Sequence, residues 1–311
     1  MKIWASNNKN KIKKILLGNV PTPEQLETML NKKIPTVIKK ILNETIIDLS
    51  NIKKFLESYG ITVLHYPVKT LNDRIDARNG YVICDDTCYI SHKADYLQDF
   101  YSGINKKILA PNGQYCPNIF INDNYCILDG LEYDAYKFFR KELSKSRKII
   151  TAMNKGHSDG IYMNIADNVW LTNGNVLNWN KYFPNDNVLD LSITNNGIVN
   201  DWLDPIKFSK EKAELTKTDG KFFINGHTMN ENEINFIEKY LKHWVGYCEE
   251  TLFDINLIIL DPNNVLVISQ NSYVYNFLQE KGITVHQVEW KHRFFWDGGL
   301  HCITNEVERC T

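Results

Sequence analysis

Hydrophobic positions along the chain form short apolar runs that alternate with turns and amphipathic stretches. The C-terminal part shows this most clearly: residues 256–260 are largely apolar, residues 261–264 have the turn sequence Asp-Pro-Asn-Asn, and residues 265–268 are apolar again. Two apolar runs joined by such a turn predict a β-hairpin. A helical stretch then ends at Gly282, and residues 283–285 predict another strand. The predicted unit is therefore strand, turn, strand, helix, strand.

The second half of this unit recurs near the N-terminus. Residues 55–63 (Phe-Leu-Glu-Ser-Tyr-Gly-Ile-Thr-Val) closely match residues 277–285 (Phe-Leu-Gln-Glu-Lys-Gly-Ile-Thr-Val). Such self-similarity indicates an internal structural repeat. In the N-terminal copy we expect Ser50 to cap the helix and Gly60 to end it, because Gly accepts the left-handed conformation that follows many helices.

Weaker copies of the unit complete the organisation of the chain. Hairpins are predicted at residues 80–90, 119–128 and 160–172, and helices at residues 96–101 and 133–143. Five units fit the 311 residues, which predicts a single α/β domain over residues 1–311. A separate helix over residues 23–31 is predicted to be capped by Thr22. The polar, Asn-rich segment 177–230 has little periodicity, so we interpret it as loop insertions.

Composition narrows the class of protein without naming a function. Hydrophobic residues make up 43% and charged residues 23% of the chain, as in soluble globular proteins, and the formal net charge is -1. No overall field therefore favours nucleic acid or an acidic membrane. The apolar run at residues 257–260 is far too short to span a bilayer. The first 18 residues lack the pattern of a secretory signal, so we expect a cytoplasmic protein.

The cysteines also favour a reducing compartment. There are seven, and an odd number in a chain of this length indicates free thiols rather than a disulfide framework. Cys84 and Cys88 form the one close pair in the body of the chain, and no second pair follows at zinc-site spacing. We therefore expect neither a metal site nor a cofactor.

Two stretches carry candidate chemistry. Near the C-terminus, Gly298-Gly299-Leu300-His301-Cys302 places a Cys beside a His after two glycines. One interpretation is a loop that carries a nucleophilic Cys. The alternative is a buried structural Cys in a tight turn. In the middle of the chain, His157 and Asp159 lie two residues apart at the start of a predicted strand. That spacing directs both side chains to one face, where they suit proton transfer and the binding of a cation. The alternative is a polar hairpin end.

A third stretch places two acids at the end of an apolar strand. Asp129 and Glu132 lie on either side of Gly130. Acids in this position are either turn residues or site residues, and the sequence pattern alone leaves both interpretations open.

Together these motifs resemble the glycine amidinotransferase family of the guanidino-group modifying superfamily, the penteins. The resemblance rests on His157-Ser158-Asp159, the apolar hairpin that follows it, and Gly298-Gly299-x-His301-Cys302-x-Thr304. It covers residues 156–174 and 256–309. The resemblance implies a five-bladed, pseudo-fivefold α/β propeller (pentein) built of ββαβ units, which agrees with the internal repeats.

The resemblance also implies roles for the candidate residues. Cys302 would be the nucleophile and His157 the general acid/base, while Asp159 would bind the guanidinium group. The family's supporting acids match Asp129 and Glu132, where Glu132 replaces an Asp and is longer by one methylene.

Other positions that match substrate-binding motifs of the family depart from its pattern. The family's Pro-Arg-Asp motif is matched by Ala77-Arg78-Asn79, in which Asn79 supplies no charge, and the family's paired serines fall near Glu250. No Arg occurs within residues 173–180 to grip an amino-acid carboxylate. We therefore expect Arg78, Asn79, Gly299 and Glu250 to lie at a pocket whose donor or acceptor differs from that of the named family.

The resemblance implies a reaction between two small molecules. An amidino group would pass from an arginine-like guanidino donor to Cys302 and then to an amine acceptor, in a ping-pong sequence without a metal or cofactor. One alternative is a guanidine hydrolase of the arginine or agmatine deiminase type at the same site. A second alternative is a non-catalytic propeller that binds a macromolecular partner. Family resemblance is also compatible with a homodimer.

Overall fold

The computed structural model describes most of the chain. The residues outside the description are 6, 8, 72, 74, 92–93, 112–115, 155–156, 175–176, 193–226, 242–252, 269–270, 297 and 311, together with the side chain of residue 294. Within the described part, no helix is both long and apolar enough to cross a membrane.

The described strands form five three-stranded sheets, each with the same order. In every sheet the second strand of the unit lies in the middle, antiparallel to the first strand and parallel to the third. As first, middle and third strands, the sheets comprise β15 (Thr304–Arg309), β1 (Ile12–Leu17) and β2 (Thr62–His65); β3 (Tyr81–Cys84), β4 (Thr87–Ile90) and β5 (Lys107–Leu109); β6 (Ile119–Ile121), β7 (Tyr125–Asp129) and β8 (Lys148–Ala152); β9 (Tyr162–Ala166), β10 (Val169–Thr172) and β11 (Asn187–Asp190); and β12 (Ile258–Asp261), β13 (Asn264–Val267) and β14 (Thr284–Gln287).

Helices connect the middle strand of each sheet to its third strand. The described helices are α1 (Pro23–Leu30), α2 (Thr36–Ser58), α3 (Gln98–Ser102), α4 (Tyr133–Leu143), α5 (Trp179–Tyr182), α6 (Glu231–Phe236), α7 (Ser272–Glu280) and α8 (Arg293–Trp296). Of these, α2, α3, α4, α5 and α7 make the five crossovers that parallel pairing requires. The prediction of a pseudo-fivefold α/β propeller of ββαβ units is confirmed.

The first strand of each unit faces the interior of the propeller, and the third strand faces solvent. Every residue of β3 and β6 is buried, whereas β2, β5 and β14 contain no buried residue. The short segment that leads into each first strand therefore begins near the propeller axis. These lead-in segments are residues 77–80, 116–118, 157–161, 253–257 and 298–303.

Hydrogen bonds between lead-in segments hold them together. The backbone N–H of Arg78 donates to the carbonyl of Cys302 (3.1 Å), and that of Ser158 donates to Asn118 Oδ1 (3.1 Å). These hydrogen bonds join two pairs of lead-in segments that are far apart in sequence. The first unit is closed by the two ends of the chain, because β15 pairs with β1 through Leu17 and Thr304.

Most local predictions are confirmed, with two corrections. Thr22 caps α1 in a capping box, and Gly60 and Gly282 both have positive φ after the equivalent helices (+82° and +74°). The expected helix start at Ser50 is wrong, because α2 begins at Thr36 and Ser50 lies on its exposed face.

The interpretation of residues 177–230 as loops is wrong in part. Helix α5 and strand β11 lie within this segment and complete the fourth unit. Trp170 explains why a weakly periodic stretch folds there: its indole N–H donates to Asp186 (2.7 Å) and its ring packs against Trp179 and Phe183. Residues 193–226 lie outside the described part.

Candidate active site

Cys302 lies in the lead-in segment of β15, between α8 and the strand. Its backbone N–H donates to Asn256 Oδ1 (3.0 Å), and Asn256 Nδ2 donates to its Sγ atom (3.1 Å). Gly299 makes this close approach possible: a Cβ atom there would lie 2.7 Å from both the backbone oxygen and Oδ1 of Asn256. Position 299 has no space for a side chain. A glycine there allows Asn256 to reach Cys302.

Asp159 places a buried carboxylate beside the sulfur. Its Oδ2 atom accepts hydrogen bonds from His301 Nδ1 (2.7 Å) and from the thiol of Cys302 (Sγ to Oδ2, 3.7 Å). The side chain is fully buried, and among the described residues Oδ1 has no hydrogen-bond partner. A buried, unpartnered carboxylate oxygen is costly unless it meets a donor. We call Cys302, Asp159, His301 and Asn256 the buried cluster.

The protonation states of Asp159 and His301 are set by their contact. Burial alone would raise the pKa of Asp159, but the hydrogen bond from His301, together with the neighbouring His157 and Arg78, outweighs it and lowers the pKa. Burial and the charge of Arg78 lower the pKa of His301, against the pull of Asp159. We therefore assign an ionised Asp159 and a neutral His301 whose Nδ1–H donates to the carboxylate.

Arg78 is bound to the protein itself. Its Nε–H donates to the carbonyl of His301 (3.3 Å), and its guanidinium forms an ion pair with Glu306 Oε2 (2.6 Å). Arg309 pairs with the other oxygen of Glu306 (2.9 Å). Burial would raise the pKa of Glu306, but Arg78 and Arg309 together hold it well below its usual range. Arg78 thus links the backbone carbonyl of His301, the residue before Cys302, to Glu306.

His157 lies at the edge of the buried cluster. It precedes a 3-10 turn at Ser158–Gly160, and the strand begins only at Tyr162. The expectation that His157 and Asp159 share one face of a strand is therefore wrong. His157 is partly exposed, and within the described part of the chain its ring makes no hydrogen bond, although its charge contributes to the low pKa of Asp159.

Asp129 supports the segment that carries Asp159. Its carboxylate is fully buried and accepts hydrogen bonds from Ser158 Oγ (2.8 Å), Tyr162 OH (2.9 Å) and both the backbone and side-chain nitrogens of Asn154 (2.7 and 2.6 Å). With this many donors, the carboxylate anchors the turn at residues 158–160 to the end of β7.

The remaining predicted residues lie apart from the sulfur. Glu132 is exposed at the N-cap position of α4, and the structure does not bring it into the buried cluster. Asn79 is partly buried, and its backbone N–H donates to the carbonyl of Asp76 (3.2 Å). Glu250 lies outside the described residues.

The buried cluster is closed to solvent in this structure. Cys302 is 6% exposed and Asp159 0%. A cavity of about 40 Å³ lies beside His301 and Arg78, and a much larger cavity of about 920 Å³ lies between α2 and residues 287–293. The large cavity is lined by Trp290, whose indole N–H donates to the carbonyl of Gly298 (2.8 Å), but not by the buried cluster. Over the described residues, no three His, Cys, Asp or Glu side chains are grouped to hold a metal ion.

Two members of the buried cluster were not predicted as site residues. His301 was visible in the sequence as the neighbour of Cys302, but its contact with Asp159 depends on the folding of two distant units. Asn256 has a weaker signal: it is a polar residue at the start of an otherwise apolar run, and it is fully buried.

The structure is thus an α/β propeller in which Cys302, Asp159 and His301 lie in contact. The sequence pattern of the arginine deiminase family matches residues 187–309. A search of curated proteins finds no match.

Solved structures confirm the fold. SxtG, an amidinotransferase from Microseira wollei in the saxitoxin biosynthetic pathway, is 12% identical with a TM-score of 0.67, over 99% of this chain and 98% of that chain. The inosamine-phosphate amidinotransferase StrB1 from Streptomyces griseus is 13% identical with a TM-score of 0.68, over 99% and 97%. A dimethylarginine dimethylaminohydrolase from Pseudomonas aeruginosa, complexed with citrulline, is 11% identical with a TM-score of 0.58, over 96% and 100%. The chain therefore shares the five-unit α/β propeller fold of these structures.

Proposed function

We propose that this protein is an amidinotransferase, which moves an amidino group from an arginine-like guanidino donor to an amine through a covalent amidino-Cys302 intermediate. The observation that carries the proposal is the position of Cys302 Sγ, 3.7 Å from an ionised Asp159 whose second oxygen has no partner among the described residues. A guanidinium is a planar cation whose N–H edge pairs with a carboxylate. Asp159 would hold that cation with its central carbon next to the sulfur.

The chemistry follows from these residue types. The thiolate of Cys302 attacks the guanidinium carbon, so that a C–S bond forms and the C–N bond to the donor amine breaks. His157 gives the departing amine its proton, and Asp159 keeps the reacting group in line. A second amine then attacks the amidino carbon, loses a proton to His157 and releases the thiolate. No oxidation or reduction takes place in either half.

Burial of the thiol supports transfer over hydrolysis. At 6% exposure Cys302 is shielded from bulk water, which would otherwise compete with the acceptor amine for the intermediate. SxtG and StrB1, two structures with this fold, are amidinotransferases.

A guanidine hydrolase is the second candidate. The match of residues 187–309 to the arginine deiminase family favours it, and that enzyme would use the same site with water in place of the amine. The donor, the acceptor, a homodimer and a cytoplasmic location stay predictions.

One assay separates the candidates. The protein is incubated with arginine and with a panel of other guanidino compounds, each with and without a panel of amines, and the products are separated by mass. Ornithine together with a new guanidino compound is the result expected for transfer, whereas citrulline formed without an amine indicates hydrolysis. If no guanidine is consumed, both enzymatic proposals fail and the non-catalytic propeller is favoured.

The nucleophile is tested separately. Cys302→Ala is expected to abolish turnover while the thermal unfolding midpoint stays close to that of the wild type. Cys310→Ala, at a partly exposed free thiol, is the matched control and should retain activity. Normal turnover by Cys302→Ala would refute the assignment.

A further inference from the structure

Asn256 is the point at which three lead-in segments meet. It precedes β12, is fully buried, and uses its side-chain amide for three hydrogen bonds. Oδ1 accepts from the backbone N–H of Cys302 (3.0 Å), while Nδ2 donates to Cys302 Sγ (3.1 Å) and to the carbonyl of Asp159 (3.2 Å).

The orientation of the amide follows from its partners. The backbone N–H of Cys302 can only donate, so the oxygen of Asn256 must face it. The carbonyl of Asp159 can only accept, so the nitrogen must face that side. Because both constraints agree, Nδ2 is directed at the sulfur, and a flipped amide would place two donors and two acceptors face to face.

We propose that Asn256 is a further catalytic residue, whose side-chain N–H stabilises the thiolate of Cys302. The inference rests on the proposed function in that Cys302 is taken as the nucleophile. The physical need is specific to this site: the carboxylate of Asp159, 3.7 Å from Sγ, repels a negative sulfur, and burial of the sulfur also opposes its ionisation. A hydrogen bond given to the charged form favours that form.

A neutral donor suits this position better than a cation. A Lys or Arg at the position of Asn256 would pair with Asp159 and occupy the oxygen that the substrate guanidinium needs. An amide stabilises the sulfur without adding charge. Of the charged or titratable groups around the cluster, His157 carries the substrate's proton in the proposed function, and two others are held by acids. His301 donates to Asp159, and Arg78 pairs with Glu306.

The strength of the hydrogen bond from Asn256 Nδ2 to Cys302 Sγ changes along the proposed reaction. In the free enzyme, Nδ2–H donates to the sulfur anion. When the C–S bond of the amidino intermediate forms, the sulfur loses its charge and accepts a hydrogen bond only weakly. When the acceptor amine attacks and the C–S bond breaks, both electrons return to sulfur and the hydrogen bond strengthens again. Asn256 thus stabilises the departing thiolate in the second half-reaction.

The test is a pH titration of the sulfur itself. Asn256→Asp keeps an acceptor for the N–H of Cys302 but replaces the donor to Sγ by a carboxylate oxygen. The thiolate of Cys302 is followed by ultraviolet absorbance, as the difference between each chain and the same chain carrying Cys302→Ala. The expected result is a thiolate midpoint at least one pH unit above that of the wild type, which leaves about tenfold less thiolate at a pH well below both midpoints.

Two further variants keep the test decisive. Asn263→Asp makes the same substitution at an exposed turn residue of the same unit and should leave the midpoint unchanged. Asn256→Leu removes the donor to sulfur at similar size without adding charge and should raise the midpoint in the same direction. Thermal unfolding establishes which variants are folded.

The outcomes distinguish this inference from the proposed function. A wild-type midpoint in any folded Asn256 variant would overturn the role of Asn256, whatever the enzyme turns over. A shifted midpoint in a protein that consumes no guanidine would support Asn256 and refute the proposed function, because the titration needs no substrate.

Discussion

Replacement of Gly299 by Ala tests the packing on which the buried cluster depends. The new Cβ would lie 2.7 Å from two oxygens of Asn256 and 2.9 Å from its Cβ, whereas ordinary contact begins at 3.4 Å. One of the two segments must therefore move by about 0.7 Å. Overpacking of this kind costs about 1–3 kcal/mol. With an unfolding entropy of about 2.1 cal/mol/K per residue, that is a fall of roughly 2–5 °C in Tm for a chain of this length.

The effect on catalysis should be larger than the effect on stability. The residue that must yield is Asn256, which holds the backbone and sulfur of Cys302, and a displacement near 1 Å at a reacting group costs about 10²-fold in rate. Calorimetry measures the first effect, and kcat/KM for amidino transfer measures the second.

The matched control is Gly103→Ala, where the nearest atom to a new Cβ is 3.7 Å away. It should unfold and turn over like the wild type. If Gly299→Ala also kept the wild-type Tm and kcat/KM, the close approach of Gly299 to Asn256 would be refuted.

Three other predictions test features of the charge network and the fold. Arg78→Met removes one of the two arginines that pair with the buried carboxylate of Glu306. In urea titrations it should lower the free energy of unfolding by about 3–5 kcal/mol. A loss of substrate affinity without this loss of stability would instead assign Arg78 to substrate binding. Gly60→Ala and Gly282→Ala force Ala into positive φ with open space around it, so each should cost about 1–2 kcal/mol in thermal unfolding without any change in kcat/KM. The third concerns pH: the pKa of Asp159 lies below its ordinary value of 3.8 in the folded chain, so the unfolded chain takes up the proton first as the pH falls. The stability that ionised Asp159 contributes is therefore complete above that value and is lost below it, and the gap between wild type and Asp159→Asn in urea unfolding should narrow only under acidic conditions; a gap that stays constant there would contradict the assignment.

The repeat of helix, Gly and strand was predictable because it depends on local rules. Gly60 and Gly282 each follow a helix in the positive-φ conformation that few other residues adopt. The strands after them begin with the β-branched residues Thr and Val. The same rules failed at Ser50, because capping preference is weaker than the burial of an apolar face. Helix α2 continues past Ser50 since residues from Val37 to Leu56 pack into the core at helical spacing.

The site was predictable in its residue types but not in its contacts. The motifs identified Cys302 and Asp159, and the structure brings these two together. The positions of the His residues were not predictable, because a 3-10 turn replaces the expected strand at Asp159 and a different His, His301, contacts the carboxylate. The role of Asn256 depends on contacts across three units, which no local pattern encodes.

The pairing of β15 with β1 determines when Cys302 and Asp159 come together in the folding chain. Cys302 lies directly before β15, which is the last described strand in sequence order and completes the sheet of the first unit. Until that strand docks beside the N-terminal one, the sulfur and the carboxylate of Asp159 belong to separate parts of an open chain. In the proposed function, the catalytic groups therefore come together only when β15 has paired with β1.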